Sequence, residues 1–117
     1  MPNRVESCIF CAIAAGDATA EIVDATDLAL AFRDLRPVAE THVLVIPRRH
    51  LEDAAAVTAE HGPLLAEMLG LARAVAARDG IIERGYRLVM NVGRDSGNSV
   101  GHLHLHVIGG RALGALG

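Results

Sequence analysis

The spacing of apolar positions changes along the chain, and each change marks an element. Residues 1–6 carry no pattern and are expected to form a loose terminus. In CIFCAIAAG, residues 8–16, Ile9, Ala12 and Ile13 recur at helical spacing, which predicts a short helix stopped near Gly16. AEIVDAT (20–26) and LALAFRDL (28–35) read as two strands with a turn at Thr26-Asp27, and Pro37 then breaks the chain. THVLVIP, residues 41–47, is apolar on both faces and rich in β-branched residues, so it is expected to be a central, mostly buried strand.

From Thr58 to Asp79 the period becomes helical. Leu64, Met68, Leu71, Ala72 and Val75 form the core stripe of one long helix, with Thr58 as its N-cap and Gly80 just past its end. YRLVMNV (86–92) predicts a fourth strand, GRDSGN (93–98) a glycine-rich loop, and HLHLHVI (102–108) a fifth strand. There is no regular strand–helix–strand alternation. The fold class is α+β, a mainly antiparallel five-stranded sheet with one long helix on its face and a short N-terminal helix.

Composition narrows this picture. The chain has 117 residues, enough for one domain spanning residues 1–117. Hydrophobic residues make up 51% and mean hydropathy is +0.32. A domain of this size buries only about two-thirds of its unfolded surface. Some of the excess is therefore expected to pack against a second copy of the chain. A net charge of −3 argues against a general nucleic-acid binder. The first residues lack the apolar run of a signal peptide and no uncharged stretch is long enough to span a bilayer, so no membrane association and a cytoplasmic location are expected. No organic cofactor is expected. Cys8 and Cys11 are spaced C-x-x-C, which in a reducing compartment points to metal or redox chemistry more than to a structural disulfide.

Three of the six histidines fall at alternate positions of the last strand. On a strand, residues two apart share a face, so His102, His104 and His106 lie together while Leu103, Leu105 and Val107 face the core. Such a row could bind a metal, act chemically, or be the wet face of a half-exposed strand. The preceding GRDSGNSVG favours chemistry. Gly93 and Gly97 permit close backbone approach, and Asn98 and Ser99 offer polar donors, which together suit a phosphate. A phosphate cradle beside a histidine suggests phosphoryl or nucleotidyl transfer through a histidine adduct.

HLHLHVIGG resembles the signature of the histidine triad (HIT) superfamily. LAFRDLRPVAETHVLVIPRRH and YRLVMNVGRDSGNSVGH are similar to two further blocks of that family, so the resemblance runs from about Ile9 to Arg111. The ending is more similar to the Hint branch, the purine nucleoside phosphoramidases, than to the dinucleoside polyphosphate hydrolases, although Asn98 stands where the latter usually carry Gln. The resemblance implies a homodimer with a ten-stranded sheet and a purine nucleotide substrate, of AMP or GMP type, linked through nitrogen. It implies His104 as nucleophile, with His106 and His42 beside the phosphate. Ser99, Asn91 and Asn98 would contact the phosphate and leaving group. Asp34 would accept the ribose hydroxyls, although an aspartate there would also suit a turn. Phe10, Phe32, Leu35 and Leu44 would form the base slot. The alternatives are a dinucleoside polyphosphate hydrolase, or a nucleotide- or zinc-binding interaction protein with little turnover.

Cys8, Cys11, His50 and His102 make a second set. Two thiolates and two imidazoles suit a tetrahedral structural zinc, and many bacterial-type HIT proteins carry zinc on matching positions. The other reading is two free thiols with locally hydrogen-bonded histidines. His61 matches nothing in the family and is expected to be solvated. The chain also stops after GGRALGALG, without the aromatic tail of vertebrate-like Hint proteins.

Overall fold

The computed structural model describes residues 4–116. Its elements in chain order are α1 (Ile9–Ala15), β1 (Ile22–Ala25), β2 (Ala29–Arg33), β3 (Thr41–Pro47), α2 (Gly62–Arg78), β4 (Tyr86–Val89) and β5 (Leu105–Gly109). The strands form one sheet in the order β1-β2-β3-β5-β4, and every neighbouring pair is antiparallel. The last strand is therefore an interior one. This is the expected α+β arrangement of a five-stranded sheet with one long and one short helix.

Alternation along β2 and β3 builds two cores. Ala29, Ala31, Val43 and Val45 face α2 and pack on Met68, Leu71, Ala72 and Val75 together with Leu103, Leu105 and Val107. Leu30, Phe32, Leu44 and Ile46 face the other way, onto Phe10 and Ile13 of α1. All seven residues of β3 are buried, the apolar Val43–Pro47 as expected and the polar Thr41 and His42 with them. A polar clamp ties the C-terminal end of α2 to the sheet. Arg33 on β2 makes two bonds to Asp79, at 2.6 and 3.0 Å, and Thr41 Oγ1 donates to the same carboxylate at 2.7 Å. The Arg33 guanidinium holds the Asp79 carboxyl below the usual carboxylate range.

Element ends differ from the sequence expectation in ways that have local causes. The long helix begins at Gly62, not Thr58. Residues Ala59–His61 form a separate 3₁₀ turn, and Pro63 stands in the first turn of α2, where its missing N–H costs nothing. Gly80, at φ +74°, closes α2 as expected, and Ile81 N–H reaches back to the Ala76 carbonyl at 3.0 Å. His61 is half-buried and not simply solvated: its Nδ1 accepts from the Thr58 backbone N–H at 2.8 Å. β5 starts at Leu105 rather than His102 because Leu103 N–H leaves the ladder and donates to the Leu51 carbonyl at 2.6 Å. β4 stops at Val89, paired with His106, so Met90–Val92 have no strand beside them.

Of the expected loose terminus, residues 1–3 lie outside the described residues. Arg4 pairs with Asp17 at 2.7 Å, and Val5 N–H donates to Cys11 Sγ at 3.4 Å. Among the described residues no helix is long and apolar enough to cross a membrane.

Candidate active site and metal centre

The triad histidines separate into two environments. His104 and His106 border a cavity of about 400 Å³ between α1, β2, β3 and the loop before β5. His102 is fully buried on the far side of His104 and faces the two cysteines. One aromatic ring links the two. Phe10, between Cys8 and Cys11 on α1, meets His104 edge-on at 5.3 Å and His102 at 5.9 Å.

Hydrogen-bond partners assign the tautomers. His104 Nδ1–H donates to the His102 carbonyl at 2.7 Å, which leaves the lone pair on Nε2. Val38 N–H donates to His42 Nδ1 at 3.1 Å, so the His42 proton is on Nε2. From there it reaches His106 Nδ1 at 2.9 Å and lies 3.3 Å from Asp34 Oδ2. His106 then keeps its own proton on Nε2. The cavity thus has one ring with a free lone pair, His104, and one with a donor N–H, His106. His42 does not line the cavity; it stands behind His106 and fixes it.

The remaining expected contacts gather at the same cavity. Phe10, Phe32 and Leu44 form apolar wall, with the two phenyl rings edge-to-face at 5.5 Å. Leu35 also borders it but is 95% exposed, so it sits at the rim rather than inside a slot. Asn91, Asn98 and Ser99 are also among its lining residues. Asn98 Oδ1 accepts from Val100 N–H at 3.3 Å, which turns its amide N–H₂ outward. Gly97 borders the cavity and Gly93 does not; Gly93 begins the 3₁₀ turn Arg94–Ser96 instead. Asp34 carries both readings at once. Its Oδ1 accepts from Arg36 N–H at 2.8 Å, the expected turn, while the residue borders the cavity.

Burial suppresses charge on two of these rings. His106 is lowered to about 4, first by desolvation and then by His104 and His42, with Asp34 opposing. Desolvation also lowers His42, again against Asp34. Both rings are therefore neutral at neutral pH. The sign of the stability effect follows. Near and below the free-histidine value of about 6.5, the unfolded chain takes up protons that these rings refuse. Stability is full above that value and drains as pH falls toward about 4 for His106. The expected slope is at most about 1.4 kcal/mol per pH unit for each such ring. Urea midpoints at pH 7.5, 6 and 5 should fall less steeply in His106→Asn than in the wild type. Parallel slopes would show that His106 takes no part.

The second cluster has the donor set and spacing of a metal site. Cys8, Cys11, His50 and His102 each offer one ligand atom, and all four atoms lie within 4.8 Å of one another. His102 Nδ1 is 3.2 Å from Cys8 Sγ and 3.5 Å from Cys11 Sγ. His50 Nδ1 is 3.3 Å from Cys11 Sγ. A tetrahedral zinc with ordinary bond lengths has sulfur–nitrogen edges of about 3.5 Å. His102 Nε2–H donates to the Pro47 carbonyl at 3.0 Å, which aims the Nδ1 lone pair at the thiols, as an outer partner of a ligand does. Cys11 N–H donates to Cys8 Sγ at 3.3 Å, and Val5 N–H donates to Cys11 Sγ. Burial pushes the Cys8 thiol up, so a nearby cation is what would favour its thiolate. Asp34, His42 and His106 also bring three donor atoms within 4.8 Å, but there the His42 proton already bridges the pair.

Sequence reasoning missed the partners that set these tautomers. Val38 N–H, the His102 carbonyl and the Pro47 carbonyl are backbone groups; every residue type supplies the carbonyl and every one but proline the N–H. Glu52, 3.8 Å from His50 Nε2, was also missed; its nearness to His50 in the chain was the available signal.

Comparison with known proteins gives a consistent result. The HIT domain pattern matches residues 15–113. Over 111 residues the chain is 42% identical to the purine nucleoside phosphoramidase of Escherichia coli strain K12, covering 95% of this chain and 93% of that protein. It is 45% identical over 108 residues to an uncharacterized HIT-like protein of Synechococcus elongatus, covering 92% and 94%. A solved HIT family hydrolase from Clostridium thermocellum superposes with a TM-score of 0.93 at 34% identity, covering 97% of this chain and 98% of that one.

Proposed function

The chain belongs to the HIT domain family, and from that premise we propose that it hydrolyses purine nucleoside 5′-phosphoramidates through a nucleotidyl-histidine intermediate on His104. The observation that carries this reading is the His104 orientation: Nδ1–H is held on the His102 carbonyl, so in the neutral ring the lone pair that attacks is on Nε2.

Each residue then has a role. His104 Nε2 attacks the α-phosphorus while the phosphorus–nitrogen bond breaks, and the Ser99 hydroxyl gives its proton to the departing amine. Water next attacks the same phosphorus, its oxygen bonding to phosphorus and one of its protons returning to Ser99. The phosphorus–Nε2 bond breaks, the nucleoside 5′-monophosphate is released, and His104 is restored. His106 Nε2–H donates to a phosphate oxygen in both steps, supported from behind by His42. Donors already in place for the developing charge cost no reorganisation during reaction. Asn91 and Asn98 add donors on the other side of the phosphate. Asp34 accepts the ribose hydroxyls, and Phe10, Phe32 and Leu44 take the base, with Leu35 at the mouth.

Cys8, Cys11, His50 and His102 would hold a zinc ion. Such a closed four-ligand site is structural, and it would tie α1 to the strand that carries the triad. The reading also carries a homodimer joined through the sheet edge. β4 is one of the two edges, and Leu88 on it is exposed. A cytoplasmic location suits two unpaired cysteines.

Substrate comparison tests the reaction class. Adenosine 5′-phosphoramidate should be turned over at least about 100-fold faster, by kcat/KM, than diadenosine polyphosphates, a gap of about 3 kcal/mol in transition-state binding. A reversed preference would replace this reading by a dinucleoside polyphosphate hydrolase.

A further inference from the structure

A second cavity, of about 390 Å³, adjoins the first. Ile9, Ser99 and Val100 border both. The remainder of its lining includes Ser7, Cys8, His50 and Glu52, and no lysine or arginine is among its lining residues.

Its position follows from the reaction proposed above, on which this inference rests. In-line displacement places the leaving group on the side of phosphorus away from the attacking atom. With the nucleoside in the first cavity and His104 attacking, the departing amine lies toward Ser99. Its substituent must then continue past Ser99, and the second cavity is the space that begins there.

Among the described residues of that lining Glu52 is the one carboxylate, and the His50 imidazole lies beside it. Glu52 lies in the segment after β3 and folds back over Gly101. A Cβ placed on Gly101 would come 2.5 Å from Glu52 Oε2 and 3.1 Å from its Cδ. A glycine directly before the triad therefore lets the carboxylate lie against the backbone at the cavity wall. The other carboxylate oxygen is 3.8 Å from His50 Nε2, and the side chain remains 68% exposed.

We propose that this second cavity is the leaving-group subsite, and that Glu52 selects leaving amines bearing a positive charge beyond the scissile nitrogen. Diamines and the side chains of basic amino acids belong to that class, whereas carboxylate-bearing amines are disfavoured. The exposure of Glu52 keeps the effect modest, about threefold for each unit of charge, and it weakens as salt is raised.

The test uses three adenosine 5′-phosphoramidates of matched length, formed with 1,3-diaminopropane, n-butylamine and β-alanine. Wild-type kcat/KM should fall in that order by about threefold at each step. Glu52→Gln should bring the three together, and Glu52→Lys should reverse the order. Metal content is measured for each variant; a disturbed cluster would lower all three substrates alike and leave their ratios standing. An absent order in the wild type, or the same order in all three proteins, would overturn the subsite while leaving the proposed function intact. Failure of the wild type to hydrolyse the butylamine derivative would instead overturn the proposed function, and the subsite with it.

Discussion

His104→Asn is expected to lower kcat for adenosine phosphoramidate hydrolysis by on the order of 10⁴-fold or more, because removing a covalent nucleophile costs most of the catalytic advantage. The choice of asparagine matters. His104 is buried against Phe10, so alanine would open a gap beside the base wall. Asparagine retains an N–H that can donate to the His102 carbonyl but has no nucleophilic nitrogen. Binding of AMP should therefore change by less than about fivefold while turnover collapses, so that the loss falls on kcat rather than on affinity. His106→Asn should cost less, about 100-fold, since it removes one donor to the phosphate and keeps the attacking atom. A His104→Asn protein that still turned over within tenfold of the wild type would place the nucleophile elsewhere.

Loss of the four-ligand cluster is the second large effect. The purified protein should contain about one zinc per chain, and Cys11→Ser should contain almost none. Cys11 is the better target because its sulfur lies between both imidazoles, 3.3 Å from His50 Nδ1 and 3.5 Å from His102 Nδ1. Binding of a structural metal is coupled to folding, so the variant should unfold at least about 10 °C lower, corresponding to roughly 3 kcal/mol. A strong chelator should produce the same shift in the wild type and none in the variant. The ends of the cluster explain why the loss spreads. Two ligands sit on or beside α1, one follows β3, and one precedes β5. Phe10 is carried on the same short helix and touches His104. Metal-free wild type with an unchanged unfolding temperature would instead leave two hydrogen-bonded thiol–imidazole pairs.

How far this could be read from sequence depends on what kind of atom does the work. Alternation placed Leu103, Leu105 and Val107 in one core and the histidines on the other face, because side-chain direction on extended backbone follows position alone. It could not show that the first two histidines precede the regular ladder, since that depends on Leu103 bonding Leu51 rather than a strand neighbour. The helix start is marked by Pro63 rather than by Thr58, whose capping serves a separate turn. The residues gathered at the cavity were identified by type and by resemblance. The tautomers were not, because they are set by carbonyl and amide groups that leave no trace in residue identity. His42 shows the limit well. The family resemblance implies a place beside the phosphate; on β3 it bonds His106 and does not itself border the cavity.

The strand order has a consequence for assembly. β5 is the last strand in the chain, yet it lies between β3 and β4. Thr41–Val45 pair with residues some sixty positions later, so this insertion is the least local step and is expected to come late in folding. Until it happens, β3 has an open flank of buried-type residues, a state prone to mispairing. It also brings His104 and His106 to His42 and to the cavity wall. In this topology the nitrogen proposed to attack arrives with the strand that closes the sheet, so a partly folded chain would have no assembled site to act with.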